Sequence, residues 1–253
     1  MYATWERRFS GEFEADPSFL CSIEKLMASV TVLGSPACTD VARVLACLFE
    51  KEVDFQLVRQ DNFKRERKLP EFLKLQDPSG QVTYKEADRT LFDSRAICRH
   101  VSRKFARARK NQNNLLGTGA LEKALVEQWL QVEEQQFEKP SSFLLFNLAH
   151  APLIDEHDVD PEEIARQIEK LSDVLDLYEK RLASSEYLAG DKFTLADLTH
   201  LPNSHYLVNN TEKGRTLFKS KANVYRWWEA ISSRESWRMV LQLQEERPAL
   251  LEK

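Results

Sequence analysis

Apolar residues recur along this chain with two periods, first short alternating runs and then long stretches spaced by three and four. Ser29-Val-Thr-Val-Leu33 is a β-rich run that ends at the turn signal Gly34-Ser-Pro36. Val41, Val44, Leu45, Leu48 and Phe49 then fall on one face of a helix. Asp54 to Arg59 alternates again and predicts a second strand. A β-α-β start of this kind pairs its two strands in parallel through a right-handed crossover. A turn at Asp77-Pro-Ser-Gly80 follows, then two short strands at Gln81–Tyr84 and Thr90–Phe92 joined by a charged hairpin. Asp93-Ser94 stands where a helix N-cap belongs, ahead of apolar positions Ile97 and Val101.

Beyond about Leu115 the period is helical throughout. One helix is expected from Leu121 to about Glu138, with another starting at Pro161, where proline suits a first turn. Ile164, Ile168, Leu171, Leu175, Tyr178 and Leu182 form its apolar stripe. Thr194 and Asp197 read as a capping box, with Phe193 and Leu198 as its hydrophobic staple, a folding signal and not a catalytic one. The polar, basic stretch 107–114 is the expected linker. The predicted architecture is an α/β thioredoxin-like domain over 27–106 and an all-α domain over 115–253. Residues 1–26 contain five acids and no apolar signal core, and are expected to form a poorly ordered extension.

Composition changes this picture little. The chain has 42% hydrophobic and 30% charged residues, which suits a soluble globular protein with a real core. A net charge of −4 argues against a nucleic-acid or membrane-surface binder, and no apolar run is long enough for a membrane span. The cysteines Cys21, Cys38, Cys47 and Cys98 are widely spaced, as for reduced thiols in the cytosol. The histidines show no metal-ligand spacing, so no metal is expected.

The segments Phe92-Asp-Ser-Arg-Ala-Ile97, Asp173 to Leu182 and Tyr187-Leu-Ala-Gly-Asp-Lys-Phe-Thr-Leu-Ala-Asp-Leu198, in this order and spacing, resemble the plant phi class of glutathione transferases. The resemblance extends from Ser29 to about Leu241. It implies conjugation of glutathione to hydrophobic electrophiles, glutathione as co-substrate with no other cofactor, and a homodimer. It also implies a glutathione site. Ala37 and Cys38 would lie at the sulfur, with the neighbouring Thr39 as an alternative hydroxyl donor. Gln81-Val82 would present backbone to the cysteinyl unit. Asp93-Ser94 would receive the γ-glutamyl end, and Arg67-Lys68 the glycyl carboxylate. Phe137, Phe143 and Phe146 would wall the electrophile pocket.

The chain departs from the family pattern at two positions. Cys38 stands where the phi class has serine, and a thiol is a weak hydrogen-bond donor. At a helix N-terminus a cysteine can instead become a nucleophile, although Asp40 disfavours its thiolate. A glutathione-dependent thiol oxidoreductase using Cys38 is therefore one alternative, and a non-catalytic carrier of apolar ligands is another. Thr83 replaces the family's cis-proline. A cis bond before a non-proline residue costs about 3–4 kcal/mol, so Thr83 implies either a trans bond with a reshaped loop or a strained cis bond.

Overall fold

The computed structural model describes residues 30–59, 82–106, 114–150 and 160–246. The expected extension 1–26, the turn at 77–80, Arg67, Lys68, Gln81 and linker residues 107–113 lie outside them. The chain opens with β1 (Val30–Leu33), α1 (Thr39–Glu50), β2 (Gln56–Val58), β3 (Thr83–Glu86), β4 (Arg89–Leu91) and α2 (Ser94–Lys104). The sheet order is β2-β1-β3-β4; β1 pairs with β2 in parallel and with β3 antiparallel, and β3 pairs antiparallel with β4. This is the thioredoxin-like arrangement. α1 and α2 pack together, burying Val41, Val44, Leu45 and Leu48 with Ile97 and Val101.

The helical half comprises α3 (Ala120–Val132), α4 (Glu138–Leu145), α5 (Pro161–Leu182), α6 (Leu195–Leu198), α7 (Leu201–Asn210), α8 (Glu212–Lys219), α9 (Ala222–Ser232) and α10 (Glu235–Glu245). The helix expected to end near Glu138 does not end there. A wide π-helical stretch over Glu133–Phe137 joins α3 to α4, and another over Phe146–His150 follows. Pro140, inside α4, accounts for the first. It has no N–H to donate, its ring would collide with the carbonyl four residues earlier, and a widened turn relieves both faults. α5 begins as read, with Pro161 in its first turn and the Asp160 carboxylate accepting from Glu162 N at 2.9 Å.

Asp197 joins three parts of the helical half. Fully buried, it accepts the Thr194 backbone N–H (2.9 Å) and hydroxyl (3.0 Å), as a capping residue should. Its second oxygen takes Leu188 N at 3.0 Å and Trp227 Nε1 at 2.9 Å. Phe193 and Leu198, the expected staple, are both buried.

α10 returns to the thioredoxin-like half and packs on α1. Arg234 and Ser236 bind the Glu50 carboxylate at the end of α1, with Arg234 making two bonds of 2.6 and 2.9 Å. Arg59, after β2, donates to the carbonyls of Leu243 and Glu246. None of the helices among the described residues is long and apolar enough to cross a membrane.

Candidate active site

Cys38 sits at the N-cap of α1 with extended backbone angles, φ −72° and ψ 133°. Its backbone N–H donates to Ser35 O at 2.9 Å and its carbonyl accepts from Ala42 N at 2.8 Å, so the Gly34–Cys38 turn feeds directly into the helix. The thiol is half-buried. Burial pushes it above the ordinary thiol range; the backbone N–H of Val41 pulls it back, and the Asp40 carboxylate raises it again. Burial and Asp40 together thus favour the thiol over the thiolate at Cys38. The expected Asp40 effect is present, while the helix N-terminus only partly offsets burial.

Across the sheet, Val82 and Thr83 are both buried, and Thr83 pairs with Leu33. No cis peptide bond occurs among the described residues, so Thr83 adopts the trans form of the two conformations its sequence allowed. Ladder pairing with β1 holds the segment without the backbone turn that a cis-proline imposes.

Asp93 caps α2 as expected, accepting from Ala96 N at 2.7 Å. It is exposed and takes φ +67°, a conformation that costs a non-glycine residue energy and that asparagine and aspartate tolerate best. Ser94, immediately after it, is buried and belongs to a charged cluster that the sequence reading missed. Its hydroxyl donates to Asp40 Oδ1 and accepts from Arg43 Nη1 at 2.7 Å. Arg43, fully buried on α1, also binds Asp40 Oδ1 (2.6 Å), Thr199 O (3.0 Å) and Glu138 Oε2 (3.2 Å). Arg95 then bridges Glu138 (2.8 Å) and Glu133, the latter through two parallel bonds of 2.7 and 2.8 Å.

Two guanidiniums from the thioredoxin-like half thus neutralise carboxylates on both sides of the domain contact. Burial acts to raise both glutamates. For Glu138 the charges of Arg43 and Arg95 overcome burial and hold it at about 2. For Glu133, which has no solvent exposure, burial wins over Arg95 and the carboxyl rises to about 7. One signal for this cluster was present in the sequence: Arg43 interrupts the apolar face of α1, and a charge there needs partners.

From the helical half, Tyr206 and Gln244 reach the Cys38 turn. Gln244 Nε2 donates to Pro36 O at 2.9 Å and to the Tyr206 hydroxyl at 2.6 Å. The expected pocket aromatics separate. Phe137 is fully buried between Tyr178 and His200, with ring centroids 6.2 and 4.7 Å away, so it is core and not a pocket wall. Its place in the wide turn between α3 and α4 directs it inward. Phe143 is half-buried against the core and Phe146 is exposed. His200 Nδ1 donates to Ala196 O (2.7 Å), its Nε2 accepts from the Tyr178 hydroxyl (2.9 Å), and burial holds the ring neutral, at about 3. No cluster of metal-ligating residues occurs among the described residues.

The chain matches the glutathione S-transferase N-terminal domain over residues 28–103 and the C-terminal domain over 144–235. Glutathione S-transferase F10 of Arabidopsis thaliana is 39% identical over 212 residues, covering 83% of this chain and 96% of the relative. Glutathione transferase F2 from Populus trichocarpa superposes with a TM-score of 0.78 at 47% identity, over 85% of this chain and 98% of its own. Glutathione S-transferase I from mais, in complex with an atrazine glutathione conjugate, superposes with a TM-score of 0.75 at 30% identity, over 87% of this chain and all of its own. This chain belongs to the glutathione S-transferase family and groups with its plant phi class.

Proposed function

We propose that this protein conjugates glutathione to hydrophobic electrophiles. The observation that carries the proposal is the meeting of two helix N-termini: α1 presents Cys38, and α2 presents Asp93 and Ser94, with Arg43 joining the two helices. Backbone N–H groups at such ends favour an anion, whether a thiolate or a carboxylate. Bound glutathione would place its sulfur at Ala37–Cys38 and its γ-glutamyl end at Asp93–Ser94, with Val82 presenting backbone between them. The proposal also assigns Gln81 to the cysteinyl unit and Arg67 and Lys68 to the glycyl carboxylate.

The Cys38 thiol then acts as a donor to the glutathione thiolate, aided by the partial positive charge of α1. Thr39, the first residue of α1, is the alternative hydroxyl. The thiolate attacks the electrophilic carbon, the new C–S bond displaces the leaving group, and the thiol proton passes to solvent. Positioning supplies most of the acceleration. Phe143 and Phe146 are the candidate pocket residues that remain available. The proposal includes detoxification in the cytosol by a homodimer, supported by the resemblance to the phi class and by the free thiols of Cys38, Cys47 and Cys98.

Steady-state turnover of glutathione with 1-chloro-2,4-dinitrobenzene tests the reading. Turnover that saturates in glutathione is expected. Binding of glutathione or apolar dyes without any turnover would favour the carrier.

A further inference from the structure

Asp40 accepts from the hydroxyl of Ser94, the group that the bound-glutathione reading assigns to the ligand. Its side chain is only 14% exposed and lies against Ser94 and Arg43. A serine hydroxyl has one proton to give, and that of Ser94 goes to Asp40 Oδ1. Arg43 makes bonds from all three of its guanidinium nitrogens: Nε to Thr199 O, Nη1 to Asp40 and Ser94, Nη2 to Glu138. A second carboxylate arriving at Ser94 would meet the negative charge of Asp40 at contact distance. It would also have to take a hydroxyl proton already in use. Arg43 and Arg95 face three acids, Asp40, Glu133 and Glu138, so no surplus cation awaits the newcomer.

We propose that Asp40 is a built-in occupant of the subsite for a ligand's α-carboxylate, and that it sets the protein's selectivity against thiols carrying that group. The inference rests on the glutathione-site reading above. Free glutathione binds by displacing Asp40 from Ser94 and is weakened by that exchange. A thiol ligand with an amine and no carboxylate at the same end makes no such demand, and the exposed Asp93 carboxylate beside the subsite suits the amine. Asp40 is thus a specificity-determining residue, separate from the groups that act on sulfur.

Titration calorimetry of the full chain under reductant tests this with two ligands. One is glutathione; the other is 4-aminobutanoyl-cysteinylglycine, which is glutathione without its α-carboxylate. Asp40→Ala and the shape-conserving Asp40→Asn are measured beside wild type, with thermal melts to establish that each is folded. Both variants are expected to bind glutathione about tenfold tighter, the size of one charged hydrogen bond regained, while the analogue's affinity is unchanged. Wild-type binding of glutathione with no gain in either variant would overturn the inference and leave the glutathione reading standing. Equal tightening of both ligands would also overturn it, because Asp40 would then act as a general charge. No binding of glutathione by any of the three proteins would overturn both.

Discussion

The amide nitrogen of Gln244 donates to the carbonyl of Pro36 at 2.9 Å and to the hydroxyl of Tyr206 at 2.6 Å, so the end of α10 holds the turn that carries Cys38. The bond to Pro36 spans 208 residues of sequence. Arg59 fastens the same helix end at Leu243 O and Glu246 O, and Glu50 fastens its start through Arg234, so Gln244 adds the tie to the turn. Gln244→Ala is expected to raise KM for glutathione by roughly threefold to tenfold, with a stability loss of about 1 kcal/mol. Steady-state kinetics and urea unfolding measure the two effects. An unchanged KM would show that the turn holds itself.

Asp197 has the opposite profile. Its carboxylate satisfies Thr194, Leu188 and Trp227 from inside the core. Asp197→Ala leaves those donors buried without an acceptor, at about 1–3 kcal/mol for each. A loss of at least about 3 kcal/mol is expected in urea unfolding. A loss below about 1 kcal/mol would mean that the capping box contributes little.

Glu133 makes stability depend on pH in an unusual direction. Its buried carboxyl rises from 4.5 to about 7 in the folded protein. Between those values the folded state keeps a proton that the unfolded chain releases, so stability falls as pH increases through this window. Its stabilising contribution is complete below about pH 4.5 and is lost by about pH 7, an effect of roughly 3 kcal/mol. Glu138, held at about 2, acts in the other direction: its contribution is complete above about pH 4.5 and is lost as pH falls toward 2. Glu133→Gln is expected to flatten the change in urea midpoint between pH 5 and pH 8. An unaltered slope would assign the proton elsewhere.

Cys38 should behave as an ordinary or sluggish thiol. Burial and Asp40 raise it above 9.0, so iodoacetamide should alkylate it slowly at pH 7 and increasingly fast beyond pH 9. Cys47 and Cys98, with no solvent exposure, should be protected until unfolding. Rapid alkylation of Cys38 at pH 6 would show that the end of α1 outweighs burial.

Local periodicity made much of this architecture legible. The β-α-β-β-α order, the cap at Asp93, the start of α5 at Pro161 and the Thr194–Asp197 box are all signals carried within a few residues. What periodicity could not supply were pairings across the chain. Arg43 meets Ser94 and Glu138 at separations of 51 and 95 residues, and nothing near Arg43 names either partner. Asp40 was read only as a charge near Cys38; its hydrogen bond to Ser94 exists because α1 and α2 pack side by side. Pro140 was the overlooked local signal, since it widens the helix ahead of it and turns Phe137 into the core. The conformation at Thr83 had two physical solutions, and the bond is trans, with Thr83 paired to Leu33.

In the function proposed above, Cys38 serves as a donor to glutathione and not as the nucleophile itself. The direct measurement is conjugation of glutathione to 1-chloro-2,4-dinitrobenzene by wild type and Cys38→Ser side by side, with intact mass recorded after turnover. Turnover is expected in both proteins, with a kcat/KM several-fold higher in Cys38→Ser because a hydroxyl is the stronger donor, and with no glutathione adduct on the wild type. Loss of turnover in Cys38→Ser, together with a glutathione adduct on wild-type Cys38, would contradict it and establish covalent thiol chemistry at this position.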